Sequence, residues 1–407
     1  MTSTSDPEQA IFWLHEPQNN CFWNGALDVV STQNGAGVVS KRSIEKGTVL
    51  LKVPKESILS ARTTFIANLL IDAEIYGMHA LVIALIYEKN ALAESPWYHY
   101  INSINFADKT IPPCLWHPTH KRLLDNTEAD LMGVLDDSEL LDHFQMAQDF
   151  ARQYASMLPE PPELSNISHF ATIVLGVASR AFEIDDFHLS ALVPGADLFN
   201  HEPHGDESAH FESLAGVCPD CGKIECVHGV YSDADESDQV CEIVAHSAVP
   251  ANTEIFNTYG PLSNSELLAR YAFCVDNNHF DTVCLGRQIS ALRKKAGPQI
   301  ARRIKWWSLT APKPWLLDCF VKADGKPSKE LCAVAKLFTA PGKTVQRSHL
   351  TKLTPSSRKL IQHWCRQRRL PEIAISLDDP QREAQIKCIR QSENAILDRC
   401  IALMDRP

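Results

Sequence analysis

From residue 36 to 60 the chain, AGVVSKRSIEKGTVLLKVPKESILS, alternates β-branched and polar residues, with Lys46-Gly47 and Pro54 as punctuation. That is the pattern of short strands and tight turns. From Thr63 to Met157 the period changes, and Met78 to Asn90 and Ser138 to Met157 carry apolar residues at helical spacing. Pro96 and Ile111-Pro112-Pro113 mark loops between these helices. The switch from one period to the other predicts an α+β fold in which a helical block, about 61–166, is inserted after a β beginning. A further helix is expected over Ile167–Phe182, followed by irregular chain and short strands up to Tyr259. Asn264–Phe273 (NSELLARYAF) reads as a short amphipathic helix capped by Asn264 or Ser265. Beyond residue 285 the pattern is helical throughout.

The 407 residues allow two domains, or one elaborated domain with a smaller partner. At 44% hydrophobic and 22% charged residues the chain is neither collagen-like, disordered nor coiled-coil. No apolar run approaches the ~20 residues that cross a bilayer, and Ala80–Tyr87 reads as a buried helix segment. The polar, acidic residues 1–10 lack a basic-then-apolar signal. Thirteen cysteines, widely spread, point to a reducing cytoplasmic or nuclear compartment and to metal binding before disulfides. Charge is unevenly placed: residues 285–407 hold 25 Lys and Arg against 10 Asp and Glu, so an acidic body precedes a basic C-terminal third. The body suits a basic protein segment. In the basic third the cations are interspersed with apolar residues at helical spacing, which disfavours a phosphate-tracking nucleic-acid surface.

Three separated segments carry chemistry-bearing residues. Asn34-Gly35-Ala36-Gly37 is a glycine turn directly before a strand. Glycines there allow positive φ and close backbone approach by a ligand, as they also do in an ordinary hairpin. With no third glycine and no following helix, the turn is not a dinucleotide fingerprint. Pro194-Gly195-Ala196-Asp197-Leu198-Phe199-Asn200-His201 gathers acceptors, donors and a titratable ring on one short turn, which an Asx-capped structural turn would also explain. Glu254 to Pro261 ends in Tyr259-Gly260-Pro261, where the phenol either enters a cavity or packs under the turn.

In this order the segments resemble the SET-domain protein methyltransferases, and most closely the branch with the plant Rubisco large-subunit lysine methyltransferase and its fungal ribosomal-protein relatives. The likeness extends through Ile44-Glu45-Lys46-Gly47, Leu50 to Pro54, Ser179-Arg180-Ala181-Phe182 and Ser263 to Leu268. It covers roughly residues 21–275, after an N-terminal segment 1–20, and more loosely the helical residues 276–407, a substrate-binding domain in that branch. The resemblance implies small sheets with a knot-like chain crossing. It also implies use of S-adenosylmethionine (AdoMet) to methylate a lysine of a non-histone protein. By position, Asn34, Gly35, Ala36 and Gly37 would approach the polar end of AdoMet, and Arg180 its carboxylate, with Asp197 in the same pocket. Asn200 and His201 would hold the adenine. Tyr259 would be the tyrosine of the catalytic centre, and Tyr271 and Phe273 would wall the pocket or lysine channel. The turn after His201, Glu202 to Glu207, is longer and more acidic than the family leads one to expect. A histidine acceptor, or a non-catalytic scaffold binding a protein partner, stays open at this level.

Cys218-Pro219-Asp220-Cys221-Gly222 followed by Cys226-Val227-His228 gives C-x2-C-x4-C-x-H, four soft ligands that suit tetrahedral Zn2+. Cys241 and His210 are alternative fourth ligands. The segment, within 210–241, reads as an insertion in a β-hairpin with a structural role. The remaining cysteines are read as buried apolar residues.

Overall fold

The computed structural model describes residues 7–32, 35–104, 106, 111–202, 207–233, 239–309, 315–341 and 352–405. The chain divides into two compact units. The first comprises residues 1–115, 136–260 and 270–272, and the second 116–135, 261–269 and 273–407.

The first unit is built on small antiparallel sheets. Phe22–Trp23, Val49–Pro54, Val240–Ala245 and Ala209–Ser213 form one, in that order. Lys52 lies opposite Glu242 in the register, and the two are ion-paired at 2.5 Å. Leu59–Ser60, Leu189–Leu192 and Ala181–Asp185 form a second sheet, and Leu27–Thr32 pairs with Gly35–Ser40 in a hairpin. The expected inserted helices are present as Gly77–Asn90 and Ser138–Gln153. Every residue from Ala80 to Glu88 of the former is buried, as its all-round apolar sequence requires. Glu88, in that run, accepts hydrogen bonds from Thr64 Oγ1 (2.7 Å), the Phe65 N–H (3.1 Å) and Ser95 Oγ (2.6 Å), so its carboxylate is satisfied inside the core.

Two expectations are corrected. The helix expected to reach Phe182 ends at Ala178, because Ala181–Asp185 alternates and pairs with Leu189–Leu192. Residues beyond 285 are not helical throughout: Phe320–Lys322 pairs with Thr282–Cys284, placing Val283 and Val321 in the second unit's core. Three-residue strands are too short to show a period in sequence.

Helices Gly286–Lys294, Pro298–Ser308, Lys329–Thr339, Pro355–Arg368 and Pro380–Asp405 supply most of the second unit. Ile289, Ile304, Leu331, Trp364 and Leu397 meet in its core. The helix Asn264–Tyr271 is capped neither by Asn264 nor by Ser265. Ser263 and Glu266 form the reciprocal bonds of a capping box, with Ser263 N–H to Glu266 Oε2 at 2.8 Å and Glu266 N–H to Ser263 Oγ at 3.4 Å. Asn264 instead receives the Val275 N–H at 2.7 Å and donates to Asp281 at 2.8 Å.

All thirteen cysteines are free thiols, and the ten outside the Cys/His motif are buried or half-buried. Among the described residues no helix is long and apolar enough to cross a membrane.

Lys55, only 2% exposed, follows Pro54 at the end of its strand. Its Nζ donates to Asp185 Oδ2 (2.9 Å) and to the Ala215 carbonyl (2.8 Å), while Asp185 also receives the His188 N–H (2.8 Å). Lys55→Met would leave Asp185 without its buried cation. We expect a loss of about 3–5 kcal/mol in urea unfolding; a change below about 1 kcal/mol would show that the pair is replaceable.

Candidate active site

The stretch Ala196–Glu202 runs beside residues 254–259 in the first unit. His201 and Asn257 form a parallel bridge, closed by the Asn257 N–H to the Asn200 carbonyl (2.8 Å) and the Glu202 N–H to the Asn257 carbonyl (2.9 Å). Side chains reinforce the crossing. Asn200 Nδ2 donates to Glu254 Oε1 (2.8 Å) and to the Ala36 carbonyl (3.1 Å), tying the glycine turn to the same point. The Tyr259 N–H donates to His201 Nδ1 at 3.0 Å. That fixes His201 as an acceptor at Nδ1, and burial depresses its pKa to about 4, so the ring is neutral.

Three rings stack there. Tyr259 lies nearly parallel to His201 (centroids 4.9 Å, 16°) on one side and to Tyr271 (4.4 Å, 14°) on the other. Burial raises the phenol pKa of Tyr259, so the hydroxyl stays protonated and works as a dipole. Behind it, Arg180 approaches Asp197 at 3.6 Å, and the Tyr100 hydroxyl donates to Asp197 Oδ2 at 3.3 Å. Asp197 is buried, which raises its pKa against the pull of Arg180 and Tyr100. Arg180 Nε is buried with no hydrogen-bond partner among the described residues, a donor suited to the carboxylate of an anionic ligand.

The structure therefore brings together Ala36, Arg180, Asp197, Asn200, His201, Tyr259 and Tyr271. Gly35 has φ +109° with open space where a Cβ would be, and Gly37 follows it in the hairpin strand. Asn34 and residues 203–206 of the acidic turn lie outside the described residues. Phe273, two residues past Tyr271, falls in the second unit. Tyr100 was missed in sequence: it sits on the helix Tyr98–Ser103, 97 residues from Asp197, and no local pattern marks that contact.

The four ligating atoms of Cys218, Cys221, Cys226 and His228 lie within 4.8 Å of one another. Neither alternative ligand joins them. Cys241 is buried in the strand Val240–Ala245 opposite Ser213, and His210 lies on Ala209–Ser213 opposite Val244. Strand pairing fixes both in the sheet.

No family model matches the sequence. The chain is 27% identical to ribosomal lysine N-methyltransferase 3 of Saccharomyces cerevisiae, over 94% of this chain and 96% of that protein. It is 25% identical to the N-lysine methyltransferase SETD6 of Rattus norvegicus over 65% of this chain, which spans about half (53%) of that relative. Rubisco LSMT bound to AdoMet has the same fold, with TM-score 0.68 at 16% identity, covering 99% of this chain and 92% of that one. The SET domain of LSMT bound to methyl-lysine and AdoHcy superposes at 0.67, also at 16% identity, over 98% and 91%. The fold, with its parallel crossing and stacked tyrosine, is that of a SET domain. In sequence the chain is similar to lysine methyltransferases, and in fold to the SET domain of LSMT.

Since the unfolded imidazole titrates near 6.5 and the folded His201 only at about 4, the stability this ring contributes is complete above pH 6.5 and is lost as pH falls towards 4. We expect the His201 signals in an NMR titration to hold constant from pH 8 to about 5.5. A midpoint near 6.5 would mean the ring is not held neutral.

Proposed function

We propose that this protein is an AdoMet-dependent protein-lysine N-methyltransferase acting on a non-histone protein. The carrying observation is the Tyr259 phenol, held neutral between His201 and Tyr271 beside the Arg180–Asp197 pair. The orphaned Arg180 Nε, the close approach allowed at Gly35 and the ring stack fit AdoMet. Arg180 would take its carboxylate, the turn from Asn34 to Gly37 its polar end, and Asn200 and His201 its adenine, with Asp197 holding Arg180 in place. When bound, AdoMet supplies a methyl group already activated on a sulfonium.

The chain's own residues then have to position an amine. Lysine, with a reference pKa of about 10.4, must arrive neutral, and a channel walled by Tyr259 and Tyr271 would desolvate the ammonium and lower that value. The Tyr259 hydroxyl orients the amine lone pair for in-line attack; protonated as it is, it is no base. Alignment of this kind is worth up to roughly 7–11 kcal/mol of barrier. The thirteen thiols and the acidic body of the first part of the chain fit a cytoplasmic or nuclear enzyme that takes a basic segment around the target lysine.

Tyr259→Phe removes only the hydroxyl and keeps the ring in its stack. With methyl-labelled AdoMet and an unmethylated cell extract, the wild type should place label in methyl-lysine. The variant should lose roughly 100-fold or more of turnover while still binding AdoMet by calorimetry. Unchanged turnover would remove Tyr259 from the mechanism, label in methyl-histidine would change the acceptor, and absence of both label and AdoMet binding would leave only a scaffold.

A further inference from the structure

We propose that Cys218, Cys221, Cys226 and Nδ1 of His228 hold one structural Zn2+. Bonds of about 2.3 Å to sulfur and about 2.0 Å to nitrogen at tetrahedral angles set S···N separations near 3.5 Å. His228 Nδ1 stands 3.3 Å from Cys218 Sγ and 3.5 Å from Cys226 Sγ. Each half of the motif presents its ligands by local structure. The Asp220 and Cys221 amides donate to the Cys218 sulfur and the Lys223 amide to that of Cys221, the knuckle arrangement that stabilises bound thiolate. Cys226 and His228 lie at the two-residue strands Glu225–Cys226 and Gly229–Val230, which pair so that Gly229 faces Cys226. Gly222 has φ +72°, and a Cβ there would meet the Phe187 ring at 2.7 Å, so both conformation and packing require glycine.

Outside the ligands, the Tyr231 hydroxyl bonds to Cys218. At the base of the loop the buried Lys55 holds the Ala215 carbonyl. Three thiolates and an imidazole complete a tetrahedron with no open position, so the ion has no place for substrate and acts only on the loop. Among the described residues 214–233, between the strands Ala209–Ser213 and Val240–Ala245, Val217 and Ile224 are buried, whereas Val227 is 97% and Val230 65% exposed, so the ion would extend a small apolar core.

The full chain, purified without chelator, should carry about one zinc by plasma mass spectrometry, with an X-ray absorption shell of three sulfurs and one nitrogen. Cys221→Ser should lose the metal and become sensitive to protease within 214–239 while keeping its far-ultraviolet circular dichroism. Less than about half a zinc per chain that added Zn2+ does not restore, iron in its place, or a disulfide within the motif would each overturn the assignment.

A different observation, in the second unit, carries another site. A cavity of about 490 Å³ is lined by Arg122, Arg287, Arg368, Arg369 and Arg390 against the single acid Asp125. Arg368, 4% exposed, spends Nη2 on Glu128 (2.8 Å) and Glu393 (2.9 Å), but its Nε and Nη1 have no partner among the described residues. Two buried guanidinium donors left open are expensive unless an acceptor meets them. Arg122 and Arg287 are exposed at the same cavity, and Asp125 is the one acid among its described lining residues, while Arg369 pairs with Asp398 beside it.

We infer that this cavity takes a carboxylate or phosphate oxyanion borne by an acidic protein segment. The source of that segment, the methylated substrate, rests on the function proposed above, whereas binding can be read without any methyl transfer. In calorimetry at matched ionic strength, inorganic phosphate and an aspartate-rich peptide should compete for one site. The double variant Arg122→Glu/Arg287→Glu, folded by circular dichroism, should weaken peptide binding at least about 10-fold, as expected when two charge-assisted contacts are reversed. Binding unchanged in that variant, no binding of either probe, or preference for an RNA oligonucleotide over the peptide would overturn the inference.

Discussion

The site depends on one crossing of the chain. Asn200 and His201 tie three segments together: the glycine turn through the Ala36 carbonyl, the strand end through Glu254, and the tyrosine through its own backbone N–H. A helix or a hairpin could offer a tyrosine, but neither would hold its amide and its ring at once. The His201 ring does both, accepting the Tyr259 N–H at Nδ1 and stacking on the phenol face. Accepting at Nδ1 needs a neutral imidazole, and burial favours it.

Around that crossing the buried polar groups are arranged in closed sets. Glu88 is satisfied by three donors, and Asp185 by Lys55 and His188. Among the buried atoms left without a partner, the guanidinium donors are informative because a buried charged donor without an acceptor is costly. Arg180 Nε is open at the candidate active site, beside the equally unpartnered Asp197 Oδ1, and Arg368 Nε and Nη1 are open at the arginine-lined cavity of the second unit. For these guanidinium donors an anion is the species that would complete the set.

Sequence showed the long helices, because Gly77–Asn90 and Ser138–Gln153 repeat a period over several turns. It showed the Cys/His motif because its ligands are local. The residues of the ring stack came from resemblance to a family; alone, Tyr259 had a bland alternative as a packed turn residue. What was illegible is non-local or short. Helical spacing runs on to Phe182 and so covers the first two residues of the strand Ala181–Asp185, and Ser263, one residue earlier than expected, forms the cap. Lys55 reads as one more surface lysine in VPKES until Asp185, 130 residues away, is placed beside it. Tyr100 and Arg368 were hidden for the same reason.

The distance along the chain between Ala36 and Asn200, 164 residues, also governs when the site can exist. Contacts so far apart are made only after the intervening loop has paid its closure entropy, and they slow folding accordingly. During synthesis the inserted helices emerge, and can pack on one another, well before Tyr259 leaves the ribosome. The first unit is therefore a body whose larger part is synthesised while still inert, its chemistry waiting for Tyr259 and then for Tyr271, the last ring of the stack along the chain.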